Sequence, residues 1–177
     1  MAGGVAPVLE TERLILREQR LGDFDRHAAM LADPLVYRFV GNMPTAREDA
    51  WRKLIGCCGL WNMLGYGYWS VELKSTGTYI GQVGFADFKR EMQPTIEGIP
   101  EMGWILAPET HGQGLASEAV AAGLRWSDEA LGGPEVTAII DPGNAGSIRV
   151  AEKAGFTSRE NATYKGEPIL LFRRPAR

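Results

Sequence analysis

The stretch EMGWILAPETHGQGLASEA, residues 101–119, decides how this chain is read. Residues 101–107 are mostly apolar and read as a short strand. From Leu115 onward, Leu115, Ala119, Val120, Leu124 and Leu131 recur at helical spacing, which predicts a helix over 115–130. Between strand and helix stand two glycines one residue apart. The first turn of a helix leaves four N–H groups without intrahelical partners and carries partial positive charge. Gly112 and Gly114 remove the side chains that would keep an anion from those donors, and Ala116 and Ser117 are small. Gly112, Gln113, Gly114, Leu115, Ala116 and Ser117 can therefore wrap a diphosphate with backbone alone. GQGLAS echoes the dinucleotide fingerprint, but it lies late in the chain, with no early βαβ unit and no clear acidic residue about 20 positions on. No GK[ST] follows, so it is not a Walker loop either. Taken alone, the glycines leave a plain strand-to-helix turn equally open.

The chain has 177 residues, enough for one domain with a sizeable core. Its 45% hydrophobic and 23% charged residues are the profile of an ordinary globular protein, and a net charge of −3 argues against a nucleic-acid partner. No apolar run is long enough to span a membrane, so no membrane partner is expected. Residues 1–8 are small and are expected to be a disordered tail, with 9–177 as a single domain. Cys57 and Cys58 are neighbours with no CxxC spacing. They are expected to be packing residues in a reducing, cytoplasmic setting, and no metal site is expected.

Outward from the central stretch, RLILREQ (13–19) alternates as a half-buried strand does. A first helix is predicted over 22–31 with Asp23 as N-cap, a short second helix after Pro34, and a long third one opened by a Thr45/Glu48 capping box. That third helix is predicted to run through Trp51, Leu54, Ile55, Cys58 and Trp61. Residues 65–74 and 78–88 form a hairpin across STG, and 135–141 is a strand buried on both faces. DPGNAGS leads into a helix that ends near Ala154, and two strands close the chain. The fold class is mixed α/β (α+β) in one domain.

With DPGNAGSIRVAEKAGF (141–156) added, the central stretch resembles the GNAT superfamily of acetyl-CoA-dependent N-acetyltransferases. More narrowly it is similar to the group of ribosomal-protein N-terminal and spermidine acetyltransferases. LETERLILR and TYIGQVGF fit that group as well, so the likeness spans 9 to about 173. The resemblance implies a splayed central sheet flanked by helices, and acetyl-CoA as cosubstrate, its diphosphate on 112–117. It implies a pantetheine arm along Ile105, Leu106 and Ala107, pairing with backbone at Ile105 and Ala107, and touched from the other side by Asn144. A homodimer is common in the group. His111 stands where the pattern usually has Arg or Gln, and Ala151 where many members have an acidic-role tyrosine.

Amide formation from a thioester needs a neutral amine and a proton for the leaving thiolate. A lysine-like or polyamine nitrogen has a reference pKa near ~10.4, an α-amino group near ~7.7 to 8.0. A base therefore matters far more for the first class. Glu101 is the candidate base: alternation puts it on the face of Gly103 and Ile105, about 13 Å from Ile105 toward the thiol end. Ser147, three positions after Asn144, is the candidate acid, with Tyr164 as runner-up; Glu97, Glu72 and Asp141 are weaker bases. The resemblance favours a peptide N-terminus as acceptor, then a small amine such as a polyamine or aminoglycoside. The alternative, carried by Ala151 and His111, is a coenzyme-A-binding sensor without turnover.

Overall fold

The computed structural model describes residues 5–177. The chain enters through β1 (Leu9–Glu10) and β2 (Leu14–Arg17), then passes through α1 (Phe24–Leu31), α2 (Pro34–Tyr37) and α3 (Arg47–Leu64). It returns as the hairpin β3 (Tyr68–Leu73) and β4 (Thr78–Ala86), followed by β5 (Glu101–Leu106), α4 (Leu115–Ala130) and β6 (Val136–Ile140). α5 (Ala145–Lys153) and the pair β7 (Ser158–Tyr164) and β8 (Glu167–Arg174) close it. One eight-stranded sheet has the order β1-β2-β3-β4-β5-β6-β8-β7. All neighbours are antiparallel except β5 and β6. Those two register at a single pair, Glu101 with Thr137. Beyond it they part toward their C-terminal ends, where loops 107–114 and 141–144 leave the sheet. Crevices of this kind, at the carboxyl ends of parallel strands, are where α/β sheets take ligands.

The apolar face of the sheet packs on α4. Trp69, Val83, Phe85 and Met102 are buried there, and Gly123 of α4 lets them close: a Cβ at that position would stand 3.1 Å from the Met102 methyl. Trp61, from the end of α3, meets Trp69 and Trp126 edge-on at 4.7 and 5.3 Å between centroids. Such geometry adds to area burial by placing ring edges against π faces. The opposite face lies under α1 and α3, with Tyr79, Met30, Leu31 and Ala50 buried together.

Several expectations change. Asp23 does not cap α1 with its side chain. It turns inward, takes both Nη groups of Arg17 at 2.9 and 2.8 Å, and accepts from Arg20 N–H and Ser70 Oγ. The Thr45/Glu48 capping box does not form: α3 starts at Arg47 with Ala46 as N-cap, and the Thr45 N–H reaches back to the Leu31 carbonyl. α3 buries Ala50, Leu54, Cys57 and Trp61, while Trp51, Ile55 and Cys58 are exposed. Trp51 instead stacks edge-on against Phe24 at 5.1 Å. The expected tail is pinned within its last residues, because Ala6 is buried and the Pro7 carbonyl accepts from Trp69 Nε1. Residues 1–4 lie outside the described part of the chain.

His27 of α1 is 1% exposed, with Nδ1 2.9 Å from the Tyr79 hydroxyl. Burial, aided by the charge of Lys53, lowers its pKa from 6.5 to about 4. Below pH 6.5 the unfolded chain thus takes up a proton that the folded chain refuses, so stability falls as pH drops from 6.5 to 4. The loss at the acid end amounts to about 3 kcal/mol. Urea midpoints measured across that window should flatten in His27→Gln; an unchanged slope would assign the acid sensitivity elsewhere.

Candidate active site

At the open end of the β5/β6 gap, the backbone of 110–117 forms a cup. Gly112 and Gly114 have φ of +76° and +78°, conformations that turn successive N–H groups to one side. A Cβ at Gly112 would meet nothing within 4 Å, and one at Gly114 only Arg13 Nη2 at 3.6 Å. Among the described residues, the N–H groups of Gly112, Gln113 and Gly114 meet no protein acceptor. Those of Leu115, Ala116 and Ser117 belong to the first turn of α4. Three side chains brace the loop. His111 Nε2 donates to the Leu106 carbonyl at 2.9 Å, Gln113 Nε2 to the Glu109 carbonyl at 2.9 Å, and Arg13 Nη1 to the Gln113 carbonyl at 2.9 Å. His111 therefore steadies the loop through β5. The cup, free of side chains and lined by N–H donors at a helix start, fits a diphosphate.

The strand that follows the cup inward corrects one expectation. β5 pairs with β4 through Ile105–Gln82 and Gly103–Gly84, and the Ala107 N–H donates to the Ile80 carbonyl at 2.8 Å. Backbone groups of alternate residues point to opposite edges, so Ile105 and Ala107 face β4. They cannot also pair with an arm in the gap. Met102, Trp104 and Leu106 face β6 instead, in line with the Pro100 carbonyl that accepts from Thr137 N–H. Of the three residues expected along the arm, only Leu106 turns its backbone toward the gap, and its carbonyl there accepts from His111 Nε2.

Across the gap, Asn144 caps α5: its Oδ1 accepts from the Ser147 N–H at 3.0 Å. Ser147 thus sits in the first turn of α5, half-buried, held by the residue expected to touch the arm. Ala151 is fully buried on the inner face of the same helix, so a tyrosine there would have to displace core.

At the closed end, Glu101 is 4% exposed and both its oxygens are engaged by Arg90, Nε at 2.5 Å and Nη2 at 2.8 Å. The guanidinium lies between two rings, 4.8 Å from the Phe88 centroid and 4.7 Å from that of Tyr164. Tyr68 shares this face: its hydroxyl presses on Gly103 where any Cβ would overlap it. Burial first, and the charge of Glu101 second, push the Tyr68 hydroxyl well above its ordinary pKa, so it stays protonated. Trp69, on the other face, is core. The weaker carboxylates lie elsewhere: Glu72 pairs with Arg17, Glu97 with Lys89, and Asp141 accepts from Gly143 N–H. Arg90 carried no sequence signal beyond its place in a loop of mixed charge. Its partner is eleven residues on, across a loop that folds back over β7 and β8 at Met92 and Ile96.

The cup, Leu106 and Asn144 thus gather at one end of the gap, with Glu101 at the other. A family model described as an acetyltransferase (GNAT) domain matches residues 13–157. A GNAT-family acetyltransferase from Bordetella pertussis superposes with a TM-score of 0.82 at 31% identity, over 96% of this chain and 99% of that one. The chain belongs to the GNAT acetyltransferase family and is an acyltransferase by fold and sequence. The Bacillus subtilis protein YkkB is 36% identical over 115 residues, which span 64% of each chain. The ribosomal L7/L12 α-N-protein acetyltransferase RimL, solved in complex with coenzyme A, shares the fold at a TM-score of 0.75 and 14% identity, over 96% of this chain and 98% of that one. No helix among the described residues is long and apolar enough to cross a membrane, and none of them form a cluster of three or more His, Cys, Asp or Glu that could hold a metal ion.

Proposed function

We propose that the chain transfers an acetyl group from acetyl-CoA to a primary amine by direct attack in a ternary complex, with the α-amine of a peptide N-terminus as the favoured acceptor. The observation that carries this is the side-chain-free cup at 112–117 opening onto a gap whose far end closes at Glu101. When bound, the donor supplies a thioester carbonyl already activated toward amines. The backbone donors of the cup hold the diphosphate, and Leu106 and Asn144 line the path of the arm. Ser147 gives a proton to the departing sulfur, and Glu101 receives one from the attacking nitrogen.

Glu101 also bears on the choice of amine. Its carboxylate is already the partner of the Arg90 guanidinium in a bidentate charged pair. An amine that arrives largely neutral asks least of it. Near neutral pH an α-amine of pKa ~8 meets that condition far better than a polyamine nitrogen near ~10.4. The α-N-protein activity named for the structurally similar RimL supports the same choice.

Thiol release from acetyl-CoA, measured against Ser- and Ala-initiated peptides, polyamines and aminoglycosides, tests the reading. Peptides should turn over fastest, and Ser147→Ala and Glu101→Gln should each lose on the order of 10²-fold in kcat. Faster turnover of polyamines would overturn the acceptor choice. An undiminished rate in either variant would remove that residue from the chemistry. Tight binding of coenzyme A with no release on any acceptor would favour a sensor.

A further inference from the structure

The donors of the cup are all backbone, yet what orients one of them comes from a hundred residues earlier. Arg13, immediately before β2, reaches across to the loop and divides its fork. Nη1 donates to the Gln113 carbonyl at 2.9 Å, while Nε and Nη2 hold Glu118 Oε2, each at 2.7 Å. Glu118 is further fixed by the Thr11 hydroxyl at 2.6 Å and the Arg13 N–H at 2.9 Å, both on Oε1.

Two physical consequences follow. A trans peptide is planar, with its C=O and N–H pointing to opposite sides. A guanidinium that holds the Gln113 carbonyl therefore turns the Gly114 N–H away from itself, to a side where no protein acceptor meets it. Without that hold the Gln113–Gly114 peptide is free to flip, because glycine accepts both conformations. Glu118 is also the acidic residue in the first turn of α4, where a negative charge would repel a bound diphosphate. Pairing with Arg13 cancels it. The same side chain that aims a donor also neutralises the nearest opposing charge.

We propose that Arg13 is the positioning residue of the diphosphate cup, acting through the Gln113 carbonyl and Glu118. The proposal rests on the reading that residues 112–117 take the diphosphate of coenzyme A. It adds a residue that touches neither the acceptor nor the reacting atoms.

The test compares two ligands by calorimetry, coenzyme A and pantetheine, the second titrated by displacement because it lacks the diphosphate. Arg13→Met should weaken coenzyme A by about 10- to 100-fold, the range for a lost charge-assisted hydrogen bond. It should leave pantetheine within about twofold of wild type. Arg13→Lys keeps the charge but cannot serve Gln113 and Glu118 together, so it should recover only part of the affinity. The Arg13 side chain is 43% exposed, so both variants are expected to fold, and thermal unfolding checks this. Equal losses for both ligands would reduce Arg13 to a structural part and overturn the proposal, as would unchanged coenzyme A binding. A wild-type protein that binds coenzyme A no better than pantetheine would bring down the diphosphate reading itself, and Arg13's part with it.

Discussion

Gly114→Val is expected to raise the dissociation constant for coenzyme A by on the order of 10²-fold, with the fold retained. Gly114 has φ +78° and ψ 1°, a left-handed conformation that costs an ordinary L-residue about 1–2 kcal/mol and a β-branched one more. The new side chain would rise beside Arg13 Nη2, 3.6 Å from the Cβ position, and crowd the guanidinium that holds the Gln113 carbonyl. Backbone strain relieved by a flipped peptide removes the donor, and strain retained weakens the fold. The flip would cost about 2–3 kcal/mol of binding, where 1.4 kcal/mol is tenfold in affinity. Gly77→Ala serves as the control: that turn glycine has φ +66°, lies in the β3–β4 hairpin and meets nothing within 4 Å. It should lower the melting temperature and leave coenzyme A affinity unchanged. Equal affinity losses in both variants would mean that general destabilisation, and not the cup, sets the affinity.

Asp23→Ala is expected to destabilise the protein by about 3–5 kcal/mol, the cost of removing one partner from a buried charge cluster. For a chain of this length that corresponds to a drop of roughly 10 °C in melting temperature. Arg17 is 4% exposed and depends on Asp23 for two charged hydrogen bonds and on Glu72 for a third, 2.7 Å from Nε. Asp23 also closes the turn before α1 and anchors Ser70 of β3, so its loss loosens the joint between helix and sheet. Burial acts to raise the Asp23 pKa, but Arg17, the Arg20 N–H and Ser70 together hold it below the ordinary value. The stability it supplies is therefore present above the usual carboxylate range and is lost only as pH falls below it, under the window assigned to His27. Arg17→Met combined with Asp23→Ala should recover part of the loss, because it removes the buried guanidinium while Arg20 remains 3.6 Å from Glu72. If the double variant is no more stable than Asp23→Ala alone, the pair is not the source of the effect.

What was legible in sequence is what local chemistry dictates. The helix 115–130 could be read to the residue from the spacing of Leu115, Ala119, Val120 and Leu124, because a 3.6-residue period shows in any stretch long enough. The hairpin was visible in the STG turn, and Asn144 in its capping position, since turns and caps are set by a few neighbouring residues. The glycine cup was visible as bare backbone before a helix. α3 shows where that information stops. Its apolar residues lie on more than one side, so periodicity offered Trp51, Leu54, Ile55, Cys58 and Trp61, whereas the sheet it docks on kept only Leu54 and Trp61 of these and buried Ala50 and Cys57 beside them. The edge of β5 that faces the gap was equally hidden. Composition does not say which alternate carbonyls turn toward a neighbour; the register with β4 does.

The sequence by itself determined the family, the order of elements and the backbone donors of the cup, because each is written in residues close together along the chain. Only the tertiary structure decided how the site is held. Arg13 meets Gln113 across one hundred residues, Arg17 meets Glu72 across fifty-five, and Arg90 meets Glu101 across a folded loop. A charge in a sequence is only a candidate for a partner. Which partner it takes is settled when the sheet brings distant strands together and burial leaves no water to compete for it.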